Sequence, residues 1–204
     1  MPIMETPHTE PVDWSAGAWL RPPVRTERTP DGGLVVEPTA GSDLWRHTSY
    51  GFVHDDAPAL LAPLPAGTAV EVSFRLEWTE QFDQAGVLVR VDERNWIKAG
   101  VEVSDGAPQV GAVVTREVSD WSVAPVPEWA GREVTVRASR AGDALTVRAR
   151  VAGEPWRLVR LAPLAPEAEA VAGPFCCSPS RGGLRVRFTG WRRGPADAAL
   201  HPQE

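Results

Sequence analysis

The sequence predicts an all-β protein in which two sheets pack face to face as a sandwich. Three observations support this: apolar and polar residues alternate repeatedly, proline and glycine separate the alternating segments, and no segment has the periodicity of an amphipathic helix. The chain has 204 residues, of which 43% are apolar. That is enough for one sizeable core, and sandwiches of this length are commonly single domains.

Seven segments show the period-two pattern of a half-buried strand. They are VEVSFRLEW (70–78), QAGVLVRVD (84–92), NWIKAGVEV (95–103), VGAVVT (110–115), EVTVRAS (133–139), ALTVRARV (144–151) and GLRVRFTGW (183–191). The sequence RAGD, at 140–143, predicts a hairpin between the fifth and sixth segments. The residues expected in the core include Val87, Val89, Ile97, Val101 and Phe188.

The domain is predicted to span residues 11–193. Residues 1–10 and 194–204 are polar or rich in proline and alanine, which is typical of flexible tails. The proline-rich segments 57–67 and 161–170 are expected to connect the two sheets, because the strand pattern resumes after each of them.

Charge and composition exclude several classes of partner. The net charge of −6 provides no basic surface for nucleic acid or for an anionic membrane. Neither an apolar run of transmembrane length nor a secretory signal is visible. Cys176 and Cys177 are adjacent, so we expect both thiols to be reduced and the protein to be cytoplasmic. No sequence motif indicates a cofactor, and the scattered histidines do not predict a metal site.

The outward-facing residues of the predicted strands form two different sets. The first set carries long charged side chains of both signs, typical of a solvated sheet face; it comprises Glu71, Arg75, Glu77, Arg148, Arg150, Arg185 and Arg187. The second set mixes aromatic, apolar, charged and amide groups with two glycines; it comprises Gln84, Gly86, Leu88, Arg90, Trp96, Lys98, Gly100, Glu102, Val113 and Thr115. The second set is a candidate ligand-binding floor. The alternative is that Trp96 packs under a loop while Lys98 and Glu102 form cross-strand ion pairs.

Four blocks of the sequence resemble the regulation-of-enolase-type family, a group of unknown biochemical activity in the concanavalin A-like lectin/glucanase superfamily. The blocks are SDLWRHTSYGF (42–52), FDQAGVLVRVDERNWIKAGVEVSDG (82–106), VVTREVSDWS (113–122) and FCCSP (175–179). The resemblance covers roughly residues 11–192. It implies an antiparallel jelly-roll sandwich whose concave sheet can hold sugars. The acidic E-x-D-x-x-E run of the superfamily's hydrolases does not occur here.

Three functions are compatible with these observations. The first is a non-catalytic carbohydrate- or polyol-binding or sensing protein, which could regulate carbohydrate metabolism. The second is a glycan-active enzyme, such as a glycoside hydrolase or lyase, acting through Glu102 and a neighbouring acid; Asp43, Asp92 and Asp120 are the candidates for that acid. The third is a regulator that docks a protein partner on the same face. We favour the first.

The predicted binding site combines a floor with a rim. An indole can stack on the apolar side of a sugar ring, and charged groups form strong hydrogen bonds to hydroxyls. The predicted floor residues are Gln84, Arg90, Trp96, Lys98, Glu102 and Thr115, and the predicted rim residues are Trp45, Tyr50, Asp120 and Trp121. The alternative for the last two is that Trp121 plugs the end of the sandwich and Asp120 caps a turn.

Overall fold

A computed structural model describes residues 8–201 of the chain. It contains seventeen strands and two short 3-10 helices, Trp14–Ala16 and Pro127–Trp129. The strands are β1 (Glu10–Pro11), β2 (Ala18–Trp19), β3 (Arg25–Arg28), β4 (Leu34–Glu37), β5 (Leu44–Arg46), β6 (Val53–Asp55), β7 (Leu60–Pro63), β8 (Thr68–Arg75), β9 (Gln84–Arg90), β10 (Asn95–Ser104), β11 (Ala107–Arg116), β12 (Val118–Pro125), β13 (Glu133–Ala141), β14 (Ala144–Val151), β15 (Arg157–Pro163), β16 (Val171–Cys177) and β17 (Val186–Pro195). No helix among the described residues is long and apolar enough to cross a membrane.

Two large antiparallel sheets form the sandwich. One sheet has the strand order β15-β14-β13-β8-β17-β4-β3, with β1 paired to β17, and the other has the order β12-β11-β10-β9-β16-β7-β2. We call the second one the site sheet. A separate two-stranded sheet, β5–β6, covers part of its outer face. This architecture confirms the predicted all-β, two-sheet antiparallel sandwich.

The core between the large sheets contains the inward-facing residues that the alternation identifies. Val87, Val89, Ile97, Val101 and Phe188 are all buried in this one cluster. Because successive side chains of a strand point to opposite faces, the other residues of β9 and β10 must face away from this core.

Two tight turns set the pairing of neighbouring strands. Asp105 and Gly106 both have positive φ, 53° and 77°, and join β10 to β11. Gly142, with φ of 55°, lies in the turn between β13 and β14, which confirms the predicted hairpin. Positive φ values allow a tight turn whose twist matches that of the paired strands.

The outer face of the first sheet differs from the solvated surface that was expected. Arg137 is buried, and its guanidinium donates to Glu71 at 2.9 Å and to Asp197 at 2.8 Å. Arg148 is also buried and donates to the carbonyl of Leu200 at 2.7 Å. The carboxy-terminal segment therefore lies over this face and covers part of the charged set.

Both ends of the chain, where the structure describes them, pack against the first sheet. At the carboxy-terminal end, β17 extends to Pro195, and residues 196–201 continue over the sheet because the buried arginines bind them. At the amino-terminal end, Glu10 pairs with Arg193, and Thr9 is buried against Arg192. Residues 1–7 and 202–204 of the predicted tails lie outside the described residues.

Candidate functional site

On the face of the site sheet opposite the core, neighbouring strands bring together Gln84, Lys98, Glu102, Val113 and Trp121. The strand register places Gln84 opposite Glu102 and Lys98 opposite Val113. Val113 is in turn opposite Trp121 on the edge strand β12. Four strands therefore contribute to one surface, and this surface has a polar end and an aromatic end.

The polar end is built around Lys98, which is only 4% exposed. Its ammonium donates to Asp43 Oδ1 at 2.8 Å and to Gln84 Oε1 at 2.9 Å. Asp43 Oδ1 also accepts a hydrogen bond from the Leu44 backbone N–H at 2.7 Å. Burial opposes the charge on Lys98, but attraction to Asp43 above all, together with attraction to Glu102, raises its pKa. Lys98 is thus a fixed cation whose charge is balanced by Asp43.

Glu102 is the other acidic group in this cluster. It is half-buried, and no described residue forms a hydrogen bond with its carboxyl group. Burial raises its pKa to about 7, the attraction of Lys98 partly offsets this, and repulsion by Asp43 adds to it. Glu102 is therefore a carboxyl group that changes charge near neutral pH and has hydrogen-bonding capacity available for a ligand.

The aromatic end consists of rings from β12 and from the β5–β6 hairpin. Trp45 is nearly perpendicular to Trp121, at 86° with ring centroids 6.4 Å apart, and meets Tyr50 at 68° and 5.6 Å. Tyr50 stacks on Phe52 at 10° and 5.3 Å. Trp45 is buried and donates its indole N–H to the Thr48 carbonyl at 2.9 Å. Tyr50 and Trp121 are 57% and 37% exposed, so both rings are accessible from solvent.

Both ends face a single cavity of about 560 Å³. This volume lies within the range of about 300–1,000 Å³ typical of small-molecule sites. The cavity is lined by Gly41, Asp43, Trp45, Tyr50, Phe52, His54, Phe82, Gln84, Lys98, Glu102, Val113, Trp121, Pro179 and Ser180. Six residues of the predicted site meet here: Trp45, Tyr50, Gln84, Lys98, Glu102 and Trp121.

The remaining wall of the cavity is a loop held by a buried acid. Asp83 is fully buried and pairs with the guanidinium of Arg181. Ser178 donates to the same carboxylate at 3.3 Å, and Ser180 donates to the Gln81 carbonyl. These contacts fix the loop that carries Pro179 and Ser180. The sequence block 82–106 therefore positions a cavity wall through Asp83, a role that the sequence did not reveal.

The glycines of the floor are required by the strands rather than by a ligand. A Cβ built on Gly86 would lie 2.0 Å from the Ala99 carbonyl oxygen, and one on Gly100 would lie 2.1 Å from that of Ala85. Such distances are far below van der Waals contact. Glycine at these paired positions permits close approach of β9 and β10.

Arg90 and Trp96 lie on the predicted face but do not line the cavity. Arg90 forms a two-pronged ion pair with Asp55, at 2.7 and 3.0 Å. Trp96 is 2% exposed and belongs to a second apolar cluster that also contains Leu44 and Phe175. This cluster fills the space between the site sheet and the segments that cover it. The alternative, in which Trp96 packs under covering chain, is the arrangement observed.

Thr115 and Asp120 also lie away from the cavity. Thr115 is buried, with its hydroxyl 2.8 Å from that of Ser119. Asp120 is exposed and pairs with Arg160 at 2.8 Å. Successive side chains of a strand point to opposite faces. The side chains of Asp120 and Trp121 on β12 therefore point in opposite directions and cannot both border one cavity. The expected rim therefore retains Trp121 and loses Asp120.

Only one of the three proposed acid partners shares the cavity with Glu102. Asp92 caps a turn by accepting hydrogen bonds from the backbone N–H groups of Arg94 and Asn95, at 2.7 and 2.9 Å. Asp120 is bound to Arg160, as described above. Asp43 lies in the cavity, bound to Lys98. Among residues 8–201, no three His, Cys, Asp or Glu side chains are grouped so that they could hold a metal ion.

The chain has relatives among known protein families, sequences and structures. Residues 19–196 match the model of DUF1349, described as a protein family of unknown function. This chain belongs to the DUF1349 family. Its sequence is 34% identical over 200 residues to "Regulation of enolase protein 1" of Saccharomyces cerevisiae, with 98% of each chain covered. The resemblance identified from the sequence blocks is therefore confirmed.

Solved structures show the same fold. A functionally unknown protein from Saccharomyces cerevisiae has 32% identity and a TM-score of 0.84, with 92% of this chain and 100% of that chain covered. A xylan beta-1,4-xylosidase from Bacillus halodurans has 16% identity and a TM-score of 0.68, with 95% of this chain but only 40% of that chain covered. The DUF1349 chain thus shares its β-sandwich with part of a larger glycoside hydrolase. At this level of identity the similarity concerns the fold alone.

Proposed function

We propose that this DUF1349 protein is a non-catalytic binding protein for a small polyhydroxylated ligand, held in the cavity between the site sheet and the β5–β6 hairpin. The single observation that carries the proposal is that exposed aromatic rings and a polar cluster line one solvent-accessible cavity. Pockets of this size with an apolar wall and a few convergent polar groups are the usual form of small-molecule sites.

The chemistry of the lining fits a polyol. Trp121, which is 37% exposed and lines the cavity, offers an apolar surface for the C–H side of a sugar or sugar alcohol, and Tyr50 extends this apolar wall. The free carboxyl group of Glu102 accepts or donates hydrogen bonds according to its charge. Hydrogen bonds that involve an ionised group are stronger than those between neutral groups.

A regulatory role is consistent with this kind of site. The yeast relative is named for regulation of enolase, and a protein that binds a metabolite without converting it could transmit the level of that metabolite to a partner. The proposal therefore includes a protein partner whose binding depends on the ligand, with the cavity as the sensing site.

Fluorescence titration tests the proposal because Trp45 and Trp121 border the cavity. We expect neutral polyols such as glucitol to quench tryptophan emission saturably and to raise the melting temperature, since a ligand of the native state alone stabilises it. Trp121→Ala should abolish most of the quenching while the fold is retained. Trp156→Ala is the matched control, because Trp156 packs under Arg150 outside the cavity. Equal loss of quenching in both variants, or no saturable response to any polyol, would contradict the proposal.

One observation favours a glycoside hydrolase as a second candidate. A carboxyl group whose pKa is about 7 suits a general acid at neutral pH, and Asp43 supplies a second acid in the same cavity. Release of nitrophenol from aryl glycosides would test this function. Turnover that is lost in Glu102→Gln and in Asp43→Asn would replace the binding proposal by catalysis.

A further inference from the structure

We infer that the cavity selects a polyol that carries a protonated amine, an amino sugar or amino alditol, in preference to a neutral or a phosphorylated one. This inference rests on the proposed function and specifies its ligand class. It follows from the charge balance of the lining and from the arrangement of the aromatic rings.

The charge balance disfavours an anionic ligand. Apart from His54, whose ring nitrogen lies 3.3 Å from the Asp56 carboxylate, the titratable acids and bases of the lining are Asp43, Lys98 and Glu102. Lys98 is already bound by Asp43 at 2.8 Å and by Gln84 at 2.9 Å. Two carboxyl groups against one ammonium give the cavity an excess of one negative charge when Glu102 is ionised. No arginine is among the described lining residues, so the cavity lacks the side chain that commonly binds phosphate in a two-pronged manner.

Glu102 provides the charge that a ligand could neutralise. Asp43 is held by Lys98 and by a backbone N–H, whereas no described side chain pairs with Glu102. A ligand ammonium would supply the missing partner through a charge-assisted hydrogen bond. It would also replace the repulsion between the two carboxylates by an attraction.

Aromatic rings form the apolar wall of the same cavity. Trp45 contacts Trp121 and Tyr50 edge to face, at 86° and 68°, and all three rings line the cavity. Tyr50 and Trp121 are the exposed ones, at 57% and 37%. Aromatic ring faces attract cations, and a neutral hydroxyl gains much less from such a surface. The rings and Glu102 line the same cavity, so both favour the same ligand charge.

Three ligands with the same carbon chain and different charge provide the test. They are D-glucamine, in which an amino group replaces one terminal hydroxyl of glucitol; glucitol itself; and glucitol 6-phosphate. Affinities would be measured by calorimetric titration at pH 8. At this pH the alkylamine is protonated, and most Glu102 carboxyl groups are ionised because the pH exceeds their pKa of about 7. We expect the affinity for glucamine to exceed that for glucitol by about tenfold. Glucitol 6-phosphate should bind most weakly of the three.

Two variants identify the source of the preference. Glu102→Gln keeps the size of the side chain and should reduce glucamine affinity to about that of glucitol. Tyr50→Leu changes an exposed residue and should weaken glucamine binding more than glucitol binding. Glu77→Gln, at an exposed position just after β8, is the control for net charge and should leave the ratio of glucamine to glucitol affinity unchanged.

The outcomes separate this inference from the proposed function. Glucitol binding as tightly as glucamine, or glucitol 6-phosphate binding most tightly, would overturn the charge preference and leave the polyol site standing. A glucamine preference that persists in Glu102→Gln and in Tyr50→Leu would overturn the assignment of the amine to this cavity. If none of the three ligands binds, the proposed function fails and the inference fails with it.

Discussion

Replacing Glu102 by glutamine should stabilise the protein at alkaline pH and have little effect at acidic pH. In the folded protein, burial raises the pKa of Glu102 from 4.5 to about 7. Between these values the folded state binds a proton that the unfolded state has released, so stability falls as the pH rises. The stability that this carboxyl contributes is therefore fully present below about pH 4.5 and is lost as the pH rises through about 7.

The two pKa values differ by about 2.5, and each pKa unit corresponds to about 1.4 kcal/mol. This sets an upper limit of about 3 kcal/mol on the cost of ionising Glu102 in the folded state. Because the side chain is only half-buried, solvent screening reduces this cost, and we expect about 1–2 kcal/mol. Glutamine cannot ionise and avoids the cost.

Urea unfolding at pH 5 and at pH 8.5 measures the effect. We expect the free energy of unfolding of Glu102→Gln to exceed that of the wild type by about 1–2 kcal/mol at pH 8.5 and to differ little from it at pH 5. Glu77→Gln, measured in parallel, reports the effect of net charge alone. A gain that is equal at the two pH values, or a loss at pH 8.5, would refute the argument that burial controls this carboxyl group.

Three further predictions concern the interior. Ile97→Ala should lower the free energy of unfolding by about 2–5 kcal/mol, because Ile97 is 5% exposed in the main core and the substitution leaves a cavity; a loss below about 1 kcal/mol would place Ile97 outside the core. Lys98→Ala should cost about 3–5 kcal/mol in urea unfolding because it leaves Asp43 without its buried partner, and a near-neutral effect would contradict the ion pair. Cys176 and Cys177 are buried as free thiols, and burial raises the pKa of each. A thiol reagent should therefore react slowly with the native protein. After denaturation without reductant the reagent should count two thiols, and a count of none would refute this prediction.

The sequence predicted the sheets and one face of the site because strand periodicity is local. Alternation alone separates Ile97 and Val101, which face the core, from Lys98 and Glu102, which face the cavity. The same rule applied on β9 identified Gln84. These assignments need only the two-residue period of a strand, which is visible in a single segment.

The covering layer could not be predicted in the same way. Lys98 meets Asp43 across 55 positions of the chain, and Arg90 meets Asp55 across 35. No local pattern encodes where the β5–β6 hairpin packs. This packing decides whether a residue on the outer face lines the cavity or is buried beneath the covering segments. Trp96 and Lys98 have the same facing on β10, yet Trp96 is covered by the second apolar cluster and Lys98 borders the cavity.

A crystal structure of the protein with glucitol tests the central claim most directly. The account predicts the ligand between Trp121 and the polar end, with a hydroxyl within hydrogen-bond distance of Glu102. Tyr50 and Trp45 should keep their mutual orientation. The crystals should be soaked at a glucitol concentration that saturates the fluorescence response. Glucitol bound elsewhere, or only water in the cavity, would contradict the claim that this cavity is the binding site.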